Sequence, residues 1–181
     1  MIRTLPELFA FLHHWHAPWL PQAQSCAMPS LPMPAPLAAL YAEFTPLIAI
    51  RPSQRNAHRA PFATQDHLMC PSGLVMTGEM LVFAVENQGN WSACCATTGD
   101  DPPVYSDAAL MWEDPNTDTS DGDGFSLAGP SLSHFLTTLC LQEACMSAPH
   151  LVTCDAVDVP SLLQVPLQPL WLNGRSPPEA P

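Results

Sequence analysis

The chain has 181 residues, 47% of them hydrophobic, which is enough to bury one domain's core and excludes disorder throughout. Five arginines, no lysine and seventeen acidic residues leave a formal net charge of −12, which repels nucleic acid and anionic membrane surfaces. The electrostatic expectation is a basic protein partner, because complementary potentials speed encounter and penalise wrong partners.

Thr4 followed by Glu7 has the spacing of a capping box, and Leu5, Leu8, Phe9, Leu12 and Trp15 then recur at helical intervals, predicting a first helix over 5–16. Arg3 ahead of an apolar stretch raises the question of a signal peptide. Pro6, Glu7 and three histidines interrupt the stretch and no small-residue cleavage site follows, so the expected address is cytoplasmic. No apolar run approaches the roughly 20 residues that span a bilayer. Pro18 and Pro21 end the helix, and the proline-studded stretch to Pro34 reads as a linker or a wrapped extended segment. Pro36 suits the first turn of a short second helix carrying Leu37, Leu40, Tyr41 and Phe44.

Residues 45–79 give few signals. Arg51, Arg55 and Arg59 recur every four residues and would align on a helix as an anion clamp, but Pro52 and Pro61 oppose a long helix there, so a solvated polar segment is the simpler reading. Met80 to Val85 is a continuous apolar run of strand formers. With the turn Glu86-Asn87-Gln88-Gly89-Asn90 and the run Trp91 to Cys95, it predicts a hairpin. Asp100-Asp101-Pro102-Pro103 breaks the chain before short strands at Val104–Ser106 and Ala109–Trp112. Glu113 to Gly129 is polar and glycine-rich and reads as a loop. Leu132, Phe135, Leu136, Leu139 and Cys140 mark an amphipathic helix ending before Pro149, with late strands at Leu151–Cys154 and Leu167–Leu172 and a weak helix or turn near Leu162–Val165. The predicted class is α+β: an antiparallel-rich sheet flanked by helices in a single domain over 36–175, preceded by a helix and proline-rich extension over 1–35 and followed by an irregular tail over 176–181.

Each candidate chemistry has a simpler competitor. Asn116 to Gly124 concentrates oxygen ligands, yet no starting position gives the spacing of a calcium loop. His13 and His16 could share a helical face, but two imidazoles make an incomplete metal site, and an N-terminal helix with partly exposed histidines is the simpler reading. Cys94 or Cys95 could be a nucleophile with His134 or His67 as base, against the alternative of buried strand residues. Glu86 and Asp101 could be paired carboxylates; satisfying turn backbone groups is the simpler role for Glu86, Asn87 and Gln88. Seven cysteines without a CxxC pair fit reduced, mostly buried thiols better than a disulfide framework. Hydrolase, Walker and dinucleotide motifs are missing, so no catalytic residue, metal or cofactor is expected.

The order of segments carries a resemblance: Gln65-Asp66-His67; Met80 to Ala84 with Glu86-Asn87-Gln88-Gly89 and Trp91; Asp100-Asp101-Pro102-Pro103-Val104-Tyr105; Ser131-Leu132-Ser133 with Phe135-Leu136; and Gln142-Glu143-Ala144. In this order the chain resembles the SUKH superfamily, which groups fungal cell-wall-synthesis regulators with bacterial toxin-immunity proteins. The resemblance runs from about Leu37 to Ala144, with a fainter trace at Trp171-Leu172-Asn173-Gly174. Two departures accompany it: Ala93-Cys94-Cys95 replaces an aromatic expected after Trp91, and a final strand expected after Gly174 is absent. The resemblance implies an α+β domain with structural motif residues Glu86, Asn87, Gln88, Gly89, Trp91, Pro102, Pro103, Phe135 and Leu136. It further implies a bacterial immunity protein that binds and neutralises a cognate toxin, or alternatively an intracellular scaffold or regulatory module. The expected binding surface is the acidic segment: Asp100, Asp101, Asp107, Glu113, Asp114, Asp118, Asp121 and Asp123, with Trp112 as anchor.

Overall fold

The computed structural model describes residues 2–107 and 125–149. Helix α1 (Leu5–Trp15) and a 3-10 turn (Ala17–Gln22) precede α2 (Ala35–Ile48). Strands β1 (Asp66–Leu68), β2 (Val75–Thr77), β3 (Met80–Glu86), β4 (Ser92–Ala96), β5 (Val104–Ser106) and β6 (Ser126–Gly129) follow, and then α3 (Leu132–Met146). The six strands form one antiparallel sheet in the order β1-β3-β4-β5-β6. Strand β2 pairs with the first half of β3 while β1 pairs with its second half, so both lie along the same edge of β3. The class is α+β, a helix-flanked antiparallel sheet in one small domain.

The capping box at the start of α1 forms as its spacing predicts: Thr4 Oγ1 accepts from the Glu7 amide at 3.4 Å, and Glu7 Oε2 accepts from the Thr4 amide at 3.1 Å. Leu8 and Leu12 then enter the same core as Leu40 and Phe44 of α2, so the 35/36 boundary does not divide the hydrophobic interior. Helix α2 continues past Phe44 to Ile48 with Pro46 inside it. A proline in the last turn forfeits only one backbone bond, and burial of Leu47 and Ile48 outweighs that loss. The stretch after the 3-10 turn wraps the domain: the Gln24 amide donates to Pro46 O at 2.9 Å, and Leu31 and Met33 pack against the core.

The unbroken apolar run of β3 has a specific cause. Its register with β4 shifts between Val82 and Ala84, a β-bulge, so Leu81 and Phe83 face the core before the shift and Ala84 and Glu86 after it. Phe83 meets Phe135 of α3 edge-on at 5.6 Å, joining sheet to helix. Trp15 Nε1 donates to Ala144 O at 3.1 Å, tying α1 to the end of α3.

Three sequence expectations are corrected. Residues 113–129 are not loop to the end, since 126–129 form β6: a shifted register against β5 turns both Ala128 and Gly129 inward and breaks the alternation that marks a strand. The quiet stretch 45–79 holds β1 and β2, strands of three residues whose pairing with β3, not their own pattern, creates them. His16 is fully buried rather than partly exposed. Arg51, Arg55 and Arg59 do not align on a helix; Arg51 Nη1 donates to Ile48 O at 2.7 Å at the end of α2. The strand read at Ala109–Trp112, the acidic stretch to Gly124, the late strands and the tail lie outside the described residues.

Candidate functional site

Of the nine residues expected to form an acidic recognition surface, Asp100, Asp101 and Asp107 are described; Trp112, Glu113, Asp114, Asp118, Asp121 and Asp123 lie outside the described residues. Asp100 and Asp101 are exposed on the turn between β4 and β5, which Gly99 enters at φ 93°, a backbone conformation costly for any side chain. Asp107 stands beyond the opposite end of β5, a strand of three residues that spans roughly 10 Å. The structure therefore does not gather these three into one patch.

Two of the three also hold the fold. Asp101 Oδ1 accepts from the Ser133 amide at 2.8 Å and Ser131 Oγ accepts from the His134 amide at 3.3 Å, so both satisfy orphan donors at the start of α3. The carboxylate of Asp107 accepts from the amide of Ser92 and, at 3.0 Å, from its hydroxyl, closing the end of β4. Glu79, which sequence reasoning passed over, joins Asp100 and Asp101. The pairing of Met80 with Ala96 puts its exposed turn beside theirs.

At this acidic end a groove of about 1030 Å³ opens between the start of α1 and the start of α3. Arg3, Thr4, Asp101, Ser133, His134 and Thr137 line it with polar groups, and Ile2, Leu5 and Leu141 with apolar ones. Mixed hydroxyl, imidazole and carboxylate groups beside apolar side chains suit recognition of a protruding side chain.

A second polar cluster is internal. Glu143 of α3 is fully buried, and its two carboxylate oxygens accept the amides of Thr64 at 2.6 Å, Gln65 at 3.1 Å and Asp66 at 2.7 Å. Its neighbour Gln142 donates to the buried Asp66 carboxylate, which pairs in register with Glu86. Burial pushes Glu143 up to about 7, reinforced by Asp66 and opposed by the three amide bonds. Burial likewise raises Asp66 to about 6, opposed by Gln142 and reinforced by Glu86. The cluster bolts α3 to the segment entering β1. Its signal in the sequence was the spacing of Asp66 from Gln142-Glu143, which only pairing across 77 residues makes meaningful.

The other candidates separate. Glu86 lies at the opposite end of the sheet from Asp101 and accepts the amides of Gln88 at 2.8 Å and Asn90 at 3.3 Å, the turn role expected of it, while the Asn87 and Gln88 side chains face solvent. Gly89 takes φ 75° in the same turn; Trp91, Pro102, Phe135 and Leu136 are buried and Pro103 exposed. Burial pushes the Cys94 thiol up to about 11, with Asp107 adding to it, and Cys95 to about 12, so both are poor thiolates. His13 Nε2 lies 3.2 Å from Glu43 while His16 packs on Phe62, so the two imidazoles diverge. Among the described residues no group of three His, Cys, Asp or Glu side chains could hold a metal, and no helix is long and apolar enough to cross a membrane.

No family model, curated protein or solved structure matches this chain.

Proposed function

We propose that this chain is a non-catalytic binding protein that neutralises a cognate toxin, docking over the toxin's active site in the cytoplasm of the cell it protects. The observation that carries the reading is the acidic end of the sheet. Glu79, Asp100 and Asp101 are exposed there beside a groove, in a chain of net charge −12 without a single lysine. Such a surface steers a basic partner, a nuclease domain being the fitting kind, and the groove accepts one of its anchoring side chains. The order of motif segments supports the immunity role in particular.

Co-expression with a toxin domain encoded beside this gene tests it: restored growth and co-purification are expected, and failure of both refutes the reading. The double substitution Asp100→Asn and Asp101→Asn sharpens the test, because asparagine keeps an oxygen for the Ser133 amide while removing both charges. Association should slow about 3- to 10-fold at low salt, with the difference vanishing near 1 M salt. An unchanged rate at low salt would reject electrostatic steering by this end.

A further inference from the structure

Cys26 and Cys70, 44 residues apart, bring their sulfurs to 2.7 Å. That separation is shorter than ordinary contact between non-bonded sulfurs and near the roughly 2.05 Å of a disulfide. Cys26 lies on the proline-rich strap, residues 23–34, between the 3-10 turn and α2; Cys70 follows β1 and opens the turn Pro71–Gly73. Both are half-buried, open to a small molecule yet held in place, with Ser72 Oγ 3.5 Å from Cys26. The other described cysteines differ: Cys94, Cys95 and Cys140 are buried, and Cys145 is exposed on α3.

We propose that Cys26 and Cys70 form a reversible disulfide latch that locks the proline-rich strap against the domain when the thiol pool is oxidised. The strap otherwise holds through the Gln24 amide on Pro46 O, through Thr45 Oγ1 on Met28 Sδ at 3.6 Å, and through the apolar contacts of Leu31 and Met33. Cys26 is the attacking thiol. Burial opposes its ionisation, but hydrogen bonds from Cys70 and Ser72 and the guanidinium of Arg51 outweigh that and hold it below the usual thiol range. Cys70 is held above that range by burial and by its bond to Cys26, as suits a resolving thiol.

The oxidant is a small-molecule disulfide of the glutathione class. The Cys26 thiolate attacks one of its sulfurs and expels one glutathione thiolate. The Cys70 thiolate then attacks Cys26 Sγ in the mixed disulfide and expels the second. Two electrons pass from the protein sulfurs to glutathione, and the two thiol protons leave to solvent or to the expelled thiolates. Excess reduced glutathione reverses both steps, which makes the latch a sensor rather than a permanent structural bridge.

The full chain is equilibrated in glutathione buffers of graded oxidation, trapped by alkylation, and mapped by peptide mass. The expected result is a single peptide pair joined through Cys26 and Cys70, growing with the oxidised fraction and raising Tm by roughly 5–15 °C. Cys26→Ser and Cys70→Ser should each abolish both effects, whereas Cys145→Ser should leave both. In reduced protein, Cys70→Ala, which removes the donor, should also raise the pH at which Cys26 is half-alkylated, a readout independent of Tm. Free thiols or separate glutathione adducts at Cys26 and Cys70 in the most oxidising buffer, or a link from either to Cys154, would overturn the proposal. A joined pair with unchanged Tm would overturn the locking of the strap.

Discussion

Glu143→Ala removes the acceptor of three consecutive buried amides, those of Thr64, Gln65 and Asp66. At pH 5 the buried carboxyl is protonated, and a hydrogen bond to a neutral acceptor contributes roughly 0.5–1.5 kcal/mol net, while an orphaned buried donor costs about 1–3 kcal/mol. The three share one carboxyl group, so they do not add in full. The expected loss at pH 5 is about 3–5 kcal/mol, with a fall in Tm of roughly 10 °C and an unchanged urea m value. Glu143→Gln keeps one acceptor oxygen but turns an NH2 toward an amide, and should cost about 2 kcal/mol. The pH dependence adds a signature. Because the folded pKa lies near 7 against 4.5 for an ordinary glutamate, the folded chain binds more protons than the unfolded one across that window. The carboxyl's contribution is complete below about pH 4.5 and is lost as pH rises through 7. The gap between the native chain and Glu143→Gln should therefore narrow by about 2 kcal/mol between pH 5 and pH 8. Urea melts at both pH values measure it. A loss below about 1 kcal/mol for Glu143→Ala at pH 5, or a gap that widens with pH, would refute the bolt.

His16→Leu should stabilise the protein. Its ring is fully buried against Phe62 with neither nitrogen hydrogen-bonded, so an apolar side chain of similar size gains about 1–2 kcal/mol at pH 7. Burial holds its folded pKa near 4, below the unfolded value of 6.5, so the native contribution is complete above 6.5 and lost as pH falls through 4. The gain should accordingly grow by roughly 1.4 kcal/mol per unit as pH drops from 6.5 to 4. Thermal melts across that range would count against the argument if the variant were the less stable at every pH. In the lining of the groove, Thr4→Ala breaks the capping box and should cost about 1 kcal/mol. Faster amide exchange in the first turn of α1 reports it, and unchanged protection there would show that Leu8 and Leu12 alone hold the helix.

Where a physical rule acts over a few residues, its result was legible in the chain. The Thr4–Glu7 box, the hairpin around Glu86–Asn90, the amphipathic face of α3 and the breaks at Pro18 and Asp101-Pro102-Pro103 depend on capping, periodicity and turn chemistry, all local. The net charge of −12 was legible too, because it is a sum over side chains. Short strands were not legible, because three residues carry no period; β1 and β2 exist through the long run of β3 beside them, and β6 was hidden by a bulge that breaks alternation. The candidate sites divide the same way. Composition marked Asp100 and Asp101 as surface groups, but β5 carried Asp107 to the far end of the sheet, and the pairing of Met80 with Ala96 put Glu79 at their end instead. Only tertiary packing could seat Glu143 on the amides of residues 64–66 or bring Cys26 to Cys70, because both contacts join segments more than forty residues apart. The sequence alone determined which side chains carry charge, cap and punctuation; the pairing of distant segments decided which of them meet.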